Sequence, residues 1–303
     1  MSARLCVAGL LALAGPLHAA EPARQAGGVD IFVSSDADNT EIRRAGATVD
    51  WHYSDVHHYR GLALERAVIS PLGGPARDFD RAFLRFADSS ATWQWSGRVG
   101  TDGHRLLGAV SLVKPGARRA EYFVERDLLE TRGGIARGQT VTFAGAAADL
   151  PIGPGERRQL TLLAGAQDFE DGNWRGHLRA TYIDVISERI GLSAQLRVRA
   201  FHNSEPSVGD YFSPRDFVEA VPTLQIRHRL RGGWSGVVAA GWGTQRHTGA
   251  DWRPARLVQA SLTSPERARS GYFRATFGYS DTPGVGGEGY GYRQGTLQWI
   301  RTF

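Results

Sequence analysis

The sequence predicts an all-β fold, a transmembrane antiparallel up-and-down β-barrel of about sixteen strands. Three observations predict it: an export leader at the N-terminus, a two-residue alternation of apolar and polar side chains that recurs along the rest of the chain, and aromatic residues gathered where the alternating stretches end.

The leader comes first. Met1-Ser2-Ala3-Arg4 is a short basic head, and Leu5 to Leu17 is an apolar stretch too short to span a bilayer. Leu17-His18-Ala19-Ala20 then offers small residues for cleavage. The expected division is a signal peptide over 1–20, a short linker over 21–28 and an outer-membrane barrel over 29–303. The chain's one cysteine, Cys6, falls in the leader, so the mature chain is expected to draw its stability from burial or lipid rather than disulfides.

Composition narrows the class. The chain is 42% hydrophobic, yet no long apolar run follows the leader, which excludes a bundle of membrane helices. Its 38 glycines and frequent aromatics suit turns and pleated surfaces. The net charge of +5 is carried by arginine, with Lys114 the sole lysine. These arginines are spread along the chain instead of forming one patch beside stacking aromatics, which argues against a nucleic-acid partner.

The strands follow in order. Ala47, Val49, Trp51 and Tyr53 alternate with Thr48, Asp50 and His52; Ala82, Leu84 and Phe86 with Arg81 and Arg85; Trp93, Trp95 and Val99 with Gln94, Ser96 and Arg98. Leu160 to Gln167, Leu178 to Tyr182 and Phe273 to Tyr279 repeat the pattern. The clearest stretch is Arg189 to Phe201. One parity there reads Ile190, Leu192, Ala194, Leu196, Val198, Ala200, and the other reads Arg189, Gly191, Ser193, Gln195, Arg197, Arg199. Successive side chains of a strand point to opposite faces, so one face would meet acyl chains and the other would enclose water. No later segment shows helical periodicity.

Trp51, Tyr53, Trp95, Trp174, Trp242, Tyr279 and Trp299 sit near strand ends, as interfacial girdles require. The final strand, Gln298 to Phe303, closes on a terminal Phe. With Trp299, Phe303 resembles the C-terminal signal of outer-membrane barrels that their assembly machinery reads, although Arg301 replaces the usual apolar residue. Outer-membrane lipid and that machinery are the expected partners.

The polar parity places Arg81, Arg85, Arg98, Arg175, Arg179, Arg189, Arg197, Arg199, Arg227, Arg229 and Arg274 in the lumen, with Asp50, Glu65, Glu121, Glu125 and Asp127 among fewer acids. Guanidiniums in a confined pore concentrate anions and offer paired donors. Alternatively, they pair with lumen carboxylates and brace the wall. The charge-dense segment Arg118 to Arg132 is either a strand with a charged loop or an element folded into the pore.

The longest turn-rich interruption, Asn203 to Asp216, contains Tyr211-Phe212-Ser213-Pro214-Arg215 and precedes a strand with Thr223, Gln225 and Arg227. This motif resembles that of the barrel domains of exopolysaccharide secretins, namely the poly-N-acetylglucosamine export porin and the C-terminal domain of the cellulose synthase operon export subunit. The resemblance covers Val208 to Phe303 best. It implies a sixteen-stranded barrel that conducts a linear polysaccharide across the outer membrane for a biofilm matrix. Family members carry a long N-terminal array of helical repeats. Here about ten residues separate the cleavage site from Val29, so a separate periplasmic scaffold and an inner-membrane synthase become expected partners. An arginine-rich lumen departs from a porin suited to a partly cationic polymer and implies a neutral or anionic glycan. A passive diffusion pore that prefers anions is the alternative.

Enzymatic readings have less to rest on. No Gly-x-Ser-x-Gly elbow occurs, and the pairs His202 with Ser204 and His52 with Ser54 lack a visible orienting group. A lipid-directed hydrolase remains the second alternative to transport. Asp55, His57 and His58 lack a spaced second cluster of ligands, so neither metal nor cofactor is expected.

Overall fold

The computed structural model describes residues 24–36, 40–155, 157–266, 271–283 and 290–303. The leader call over Met1 to Ala20 lies outside them. Sixteen strands close into one antiparallel barrel. They are β1 (Arg24–Asp36), β2 (Glu41–Asp55), β3 (His58–Ser70), β4 (Arg77–Ser89), β5 (Gln94–Thr101), β6 (Leu106–Lys114), β7 (Ala120–Leu128) and β8 (Thr140–Pro151). The second half holds β9 (Arg158–Asp168), β10 (Trp174–Ser187), β11 (Leu192–Asn203), β12 (Asp216–Arg229), β13 (Ser235–His247), β14 (Arg253–Thr263), β15 (Tyr272–Pro283) and β16 (Tyr290–Thr302). One short helix, α1 (Arg132–Arg137), joins β7 to β8. β1 begins inside the segment expected to be a linker.

Closure follows from backbone chemistry. β1 pairs with β16 from Ala26 opposite Thr302 to Asp36 opposite Tyr292, so the first and last strands leave no open edge. A spanning sheet needs this, because hydrocarbon offers unpaired N–H and C=O groups no partner. No described helix is long and apolar enough to cross a membrane.

The outer face is the predicted apolar parity. Leu64 is 64% exposed, Leu178 64% and Val238 58%, far too much for leucine and valine in water but expected beside acyl chains. Trp51, Trp95, Tyr122 and Trp299 ring the end that holds both chain termini, while Trp174 and Trp242 mark the opposite, far end. The two belts correspond to the two interfaces.

One strand departs from simple alternation. Tyr53 was expected on the outer face beside Trp51, but it is 1% exposed and packs with Ala26 and Ile300. Register shifts between Asp50 and His52 and between Tyr53 and Asp55 explain the difference. A bulge inserts a residue without a partner, and one extra residue reverses every later side chain.

Candidate functional site: a divided lumen

From β2 to β5 the inner wall is a lattice of ion pairs, joined by Asp127 of β7. Arg81, with no exposed side-chain surface, bridges Glu65 and Asp127, the latter at 2.8 Å. Arg44 joins Asp127 at 3.5 Å and also pairs with Glu130, beyond the end of β7. Arg98 meets Glu65 at 3.2 Å, and Arg85 lies 3.4 Å from Asp50 and 4.4 Å over the Tyr59 ring. Every cation here faces an acid. Of the two sequence readings, these arginines follow the bracing one.

An apolar patch of Ile42, Ile69, Phe83, Leu107 and Leu128 reaches from these pairs, where Phe83 lies between Arg81 and Arg85, toward the far end and packs against Ile135 of α1. The connection between β7 and β8 therefore folds into the lumen instead of standing above it. Thr131 caps α1 by accepting from Gly134 N at 3.0 Å, and Gly138 ends it at φ 69°. A Cβ on Gly134 would lie 2.3 Å from the Leu129 carbonyl oxygen, so only glycine allows this approach. Glu170 fastens the loop by accepting from Thr140 N at 2.8 Å and from Arg126. Burial alone would raise the Glu170 carboxyl, but these donors hold it below the usual carboxylate range.

The β7 to β12 wall carries something different, an aromatic row that the sequence reading missed. Phe123, Gly145, Gly165, His177, Phe201 and Phe217 are successive cross-strand partners. Phe143 leans over Gly165, so rings follow each other almost without a break. Phe123 lies 5.2 Å from Phe143, Phe143 5.1 Å from His177, His177 5.8 Å from Phe201, and Phe201 stacks on Phe217 at 4.8 Å. The two glycines make room, because a Cβ at Gly145 or Gly165 would meet the Phe123 or Phe143 ring at 2.8 and 2.7 Å. Phe123, Phe143 and Phe201 are half-buried, whereas His177 and Phe217 are buried, and both Arg175 and Phe217 lie against the Phe201 ring.

Below this row, toward the termini, come guanidiniums. Arg179 stands opposite Arg199, and Thr181 opposite Arg197. Arg199 pairs with Glu219 at 2.9 Å. Arg197 donates to Gln195 at 3.0 Å and to Gln259 at 2.6 Å. Arg227 and Arg274 share this inner face nearer the termini. Arg229 ends β12 exposed at the rim. Arg189 is a correction: β11 begins at Leu192, so Arg189 lies on an exposed turn and not on the wall. Gly191, at φ 67° in that turn, shows why the strand starts late.

At the far end the Tyr211 to Arg215 motif also turns inward. Tyr211 stacks on Phe169 at 4.3 Å and 12°, accepts from Asn173 at 2.9 Å and donates to Asp171 at 2.8 Å. Burial, then its bond to Asp171, pushes the Tyr211 phenol above its ordinary range. Phe212 meets Phe217 edge-on at 6.2 Å, and the Ser213 hydroxyl donates to Val208 O at 3.0 Å. Arg175, 1% exposed, ties the motif to the wall. It donates to Asn203 at 2.8 Å and to Phe212 O at 2.6 Å, over the rings of Phe201 and Phe169 at 4.5 and 4.9 Å. Pro214 and Arg215 present their carbonyls to Asn203. At the opposite end Trp299 is exposed on the outer face, and Phe303 N donates to Gln25 O at 3.0 Å.

One polar trio at the termini end has the hydrogen-bond order of a hydrolase relay. Asp55 accepts from His58 Nδ1 at 2.9 Å, and His58 Nε2 meets the Ser89 hydroxyl at 2.6 Å. An oxyanion needs spare donors beside the serine. Here Ser89 N donates to Asp88 and Ser90 N to Trp93 O, so the adjacent amides are engaged. The trio ties the β2–β3 turn to the end of β4. Among the described residues no group of three or more His, Cys, Asp or Glu is placed to hold a metal ion.

No family model and no curated sequence matches the chain. Among solved structures, it is similar to one described as a bacterial polysaccharide outer membrane secretin, with a TM-score of 0.67 and 14% identity over 94% of this chain and 100% of that one. It also matches OccK5 (OpdH) of Pseudomonas aeruginosa, at TM-score 0.43 and 11% identity over 93% and 98% of the two chains. OmpT of Vibrio cholerae matches at TM-score 0.43 and 8% identity over 92% and 97%. At such identities the first likeness establishes the fold, a sixteen-stranded outer-membrane-type barrel, and the other two add no argument.

Proposed function

We propose that this barrel sits in the outer membrane of a Gram-negative bacterium and conducts an exopolysaccharide, neutral or anionic, through its lumen. The observation that carries the reading is the aromatic row from Phe123 to Phe217. Sugar rings present apolar C–H faces and a rim of hydroxyls. The half-buried rings of Phe123 and Phe143, with the partly exposed Thr181 and Gln259 on the same wall, offer surface for the first and exchangeable hydrogen bonds for the second. The fold shared with a polysaccharide secretin supports the same reading, as does the inward Tyr211 to Arg215 motif. A periplasmic scaffold, an inner-membrane synthase and the barrel assembly machinery are its proposed partners.

The test is oligosaccharide block of single channels in planar bilayers. Cello-oligosaccharides should interrupt the current, and Phe143→Ala should weaken that block by about tenfold, the size expected for one lost ring contact. Equal block before and after the substitution would remove the aromatic row from the path. The excess of arginine on β10 to β12 favours a second reading, a diffusion pore that prefers anions. That reading requires steady anion-selective conductance without oligosaccharide block.

A further inference from the structure

We propose that the outer face of the far end holds a binding site for phosphorylated lipid headgroups, formed by Arg246 and Arg293 with Arg43 and Arg256 beside them. The site is separate from whatever passes through the lumen and rests only on the barrel's place in an outer membrane.

Strand parity puts all four on the lipid-facing side. Toward the far end, Arg43 follows Ala47 and Ala45 on β2, Arg246 follows Trp242 on β13, Arg256 follows Val258 on β14, and Arg293 follows Leu297 on β16. A cation that faces acyl chains is costly, and the cost fades at the headgroup level.

Register sets their height. The row of cross-strand partners that begins at Asp36, at the far end of β1, passes Tyr292, Ser280, Leu257 and Gly241 and reaches Pro151 at the termini end of β8. Each step from β1 toward β8 therefore lowers a row by roughly one residue, as tilted strands require. Arg293 shares a row with Tyr279 and Val258 on one side and with Ser35 and Glu41 on the other. Arg256 lies two residues above that row on β14, and Arg43 two below it on β2. The tilt cancels both offsets, so Arg43, Arg293 and Arg256 stand at nearly one height. Arg246, four residues beyond Trp242 of the aromatic belt, stands slightly higher.

The neighbours of these arginines leave room for an anion. Arg246 and Arg293 are exposed, and neither makes a hydrogen bond or ion pair with a described residue. Arg246 lies 6.0 Å over the Trp252 ring, a contact that uses none of its donors. Arg43 meets Glu41 at 2.8 Å in an exposed pair, which holds weakly, and Arg256 is anchored to Asp281 at 2.8 Å. Elsewhere on the far-end outer face cations are already answered: Arg66 meets Asp78 and Asp80, and Arg126 meets Glu170. The longest connections, β7 to β8 and β11 to β12, lie at the far end, which marks it as the external one. The anion that a guanidinium fork matches at this level is phosphate. The occupant is therefore an outer-leaflet lipid whose head carries phosphate.

Native mass spectrometry of the detergent-solubilised barrel tests this, with bis-phosphorylated lipid A and its dephosphorylated form as probes. The phosphorylated lipid should be retained about tenfold more tightly. The double variant Arg246→Gln with Arg293→Gln should lose most of that preference, while Arg66→Gln, equally placed on the outer face but paired with acids, should keep it. Heat-modifiable gel migration reports folding of both variants. Equal retention of the two lipids, retention of neither, or a preference that survives in the folded double variant overturns the site. A preference lost as fully in Arg66→Gln also overturns it. Oligosaccharide block of the lumen should be the same in the double variant as in the parent, so the conduit reading stands or falls separately.

Discussion

The two sides of the lumen use the same residue for opposite ends. On β2 to β4 each inward arginine meets carboxylates, and the bridging one, Arg81, has no exposed side-chain surface. On β10 and β11, Arg197 meets amides and stays partly accessible. The difference teaches that an arginine-rich pore wall is not one electrostatic object. Where acids and an apolar patch accompany the cations, the wall accepts α1 and closes. Where amides accompany the cation, as at Arg197, the side chain stays partly accessible. Charge sign alone does not separate these outcomes. The neighbours do.

The comparison is most sharply broken at Arg81. Arg81→Ala leaves Glu65 and Asp127 without their shared partner in a buried place and should cost about 3–5 kcal/mol, read as loss of the heat-resistant folded band on gels. Arg197→Ala should cost about 1 kcal/mol, since neutral hydrogen bonds are lost and water can reach the site. If the two substitutions cost the same, the lumen is not divided as described. Next in size, Gly134→Val forces a side chain onto the Leu129 carbonyl. It should lift α1 off its patch at about 1–3 kcal/mol, and ion conductance should rise as the inward loop leaves the bore.

A pH experiment is gentler. The Glu170 carboxyl is depressed in the folded barrel, so its contribution is present above the unfolded value of about 4.3 and is lost as pH falls through the lower folded value. A spin label at Ala136→Cys should therefore stay immobile at neutral pH and become mobile only in acid below that range. Mobility that rises between pH 8 and 6 would point to another group. The smallest effect is expected at Ser89→Ala. It should change stability by less than about 1 kcal/mol and leave hydrolysis of simple esters at background.

Much of this was legible in the sequence, for a physical reason. Alternation is imposed by the pleat itself, so the strand from Leu192 to Asn203 and the apolar outer face could be read one residue at a time. Arg81, Arg85, Arg98, Arg175, Arg179, Arg197, Arg199, Arg227 and Arg274 all face inward as parity required. What parity cannot see is a neighbour across the sheet. The aromatic row joins residues from β7 to β12 that are distant in sequence, and only register brings Phe123, His177 and Phe201 to one level. Helix α1 is six residues with two glycines, too short for periodicity to show. A signal was present nonetheless: Ile42, Ile69 and Phe83 stand at inward positions where water would disfavour them. The Arg118 to Arg132 segment proved to be both things considered, the strand β7 followed by an inward loop. Tyr53 and Arg189 were misplaced by a bulge and a turn, each a local break in the count.

The line of rings has a mechanical corollary. Cross-strand partners run perpendicular to their strands, and strands of such barrels lean about 35–45° from the axis, so the line climbs the wall as a thread climbs a screw. Five strand spacings of about 4.8 Å give it a length of roughly 24 Å and a rise of roughly 15 Å. A stiff polymer that keeps contact with this thread must rotate while it advances, so axial pulling at one mouth would appear as twist at the other.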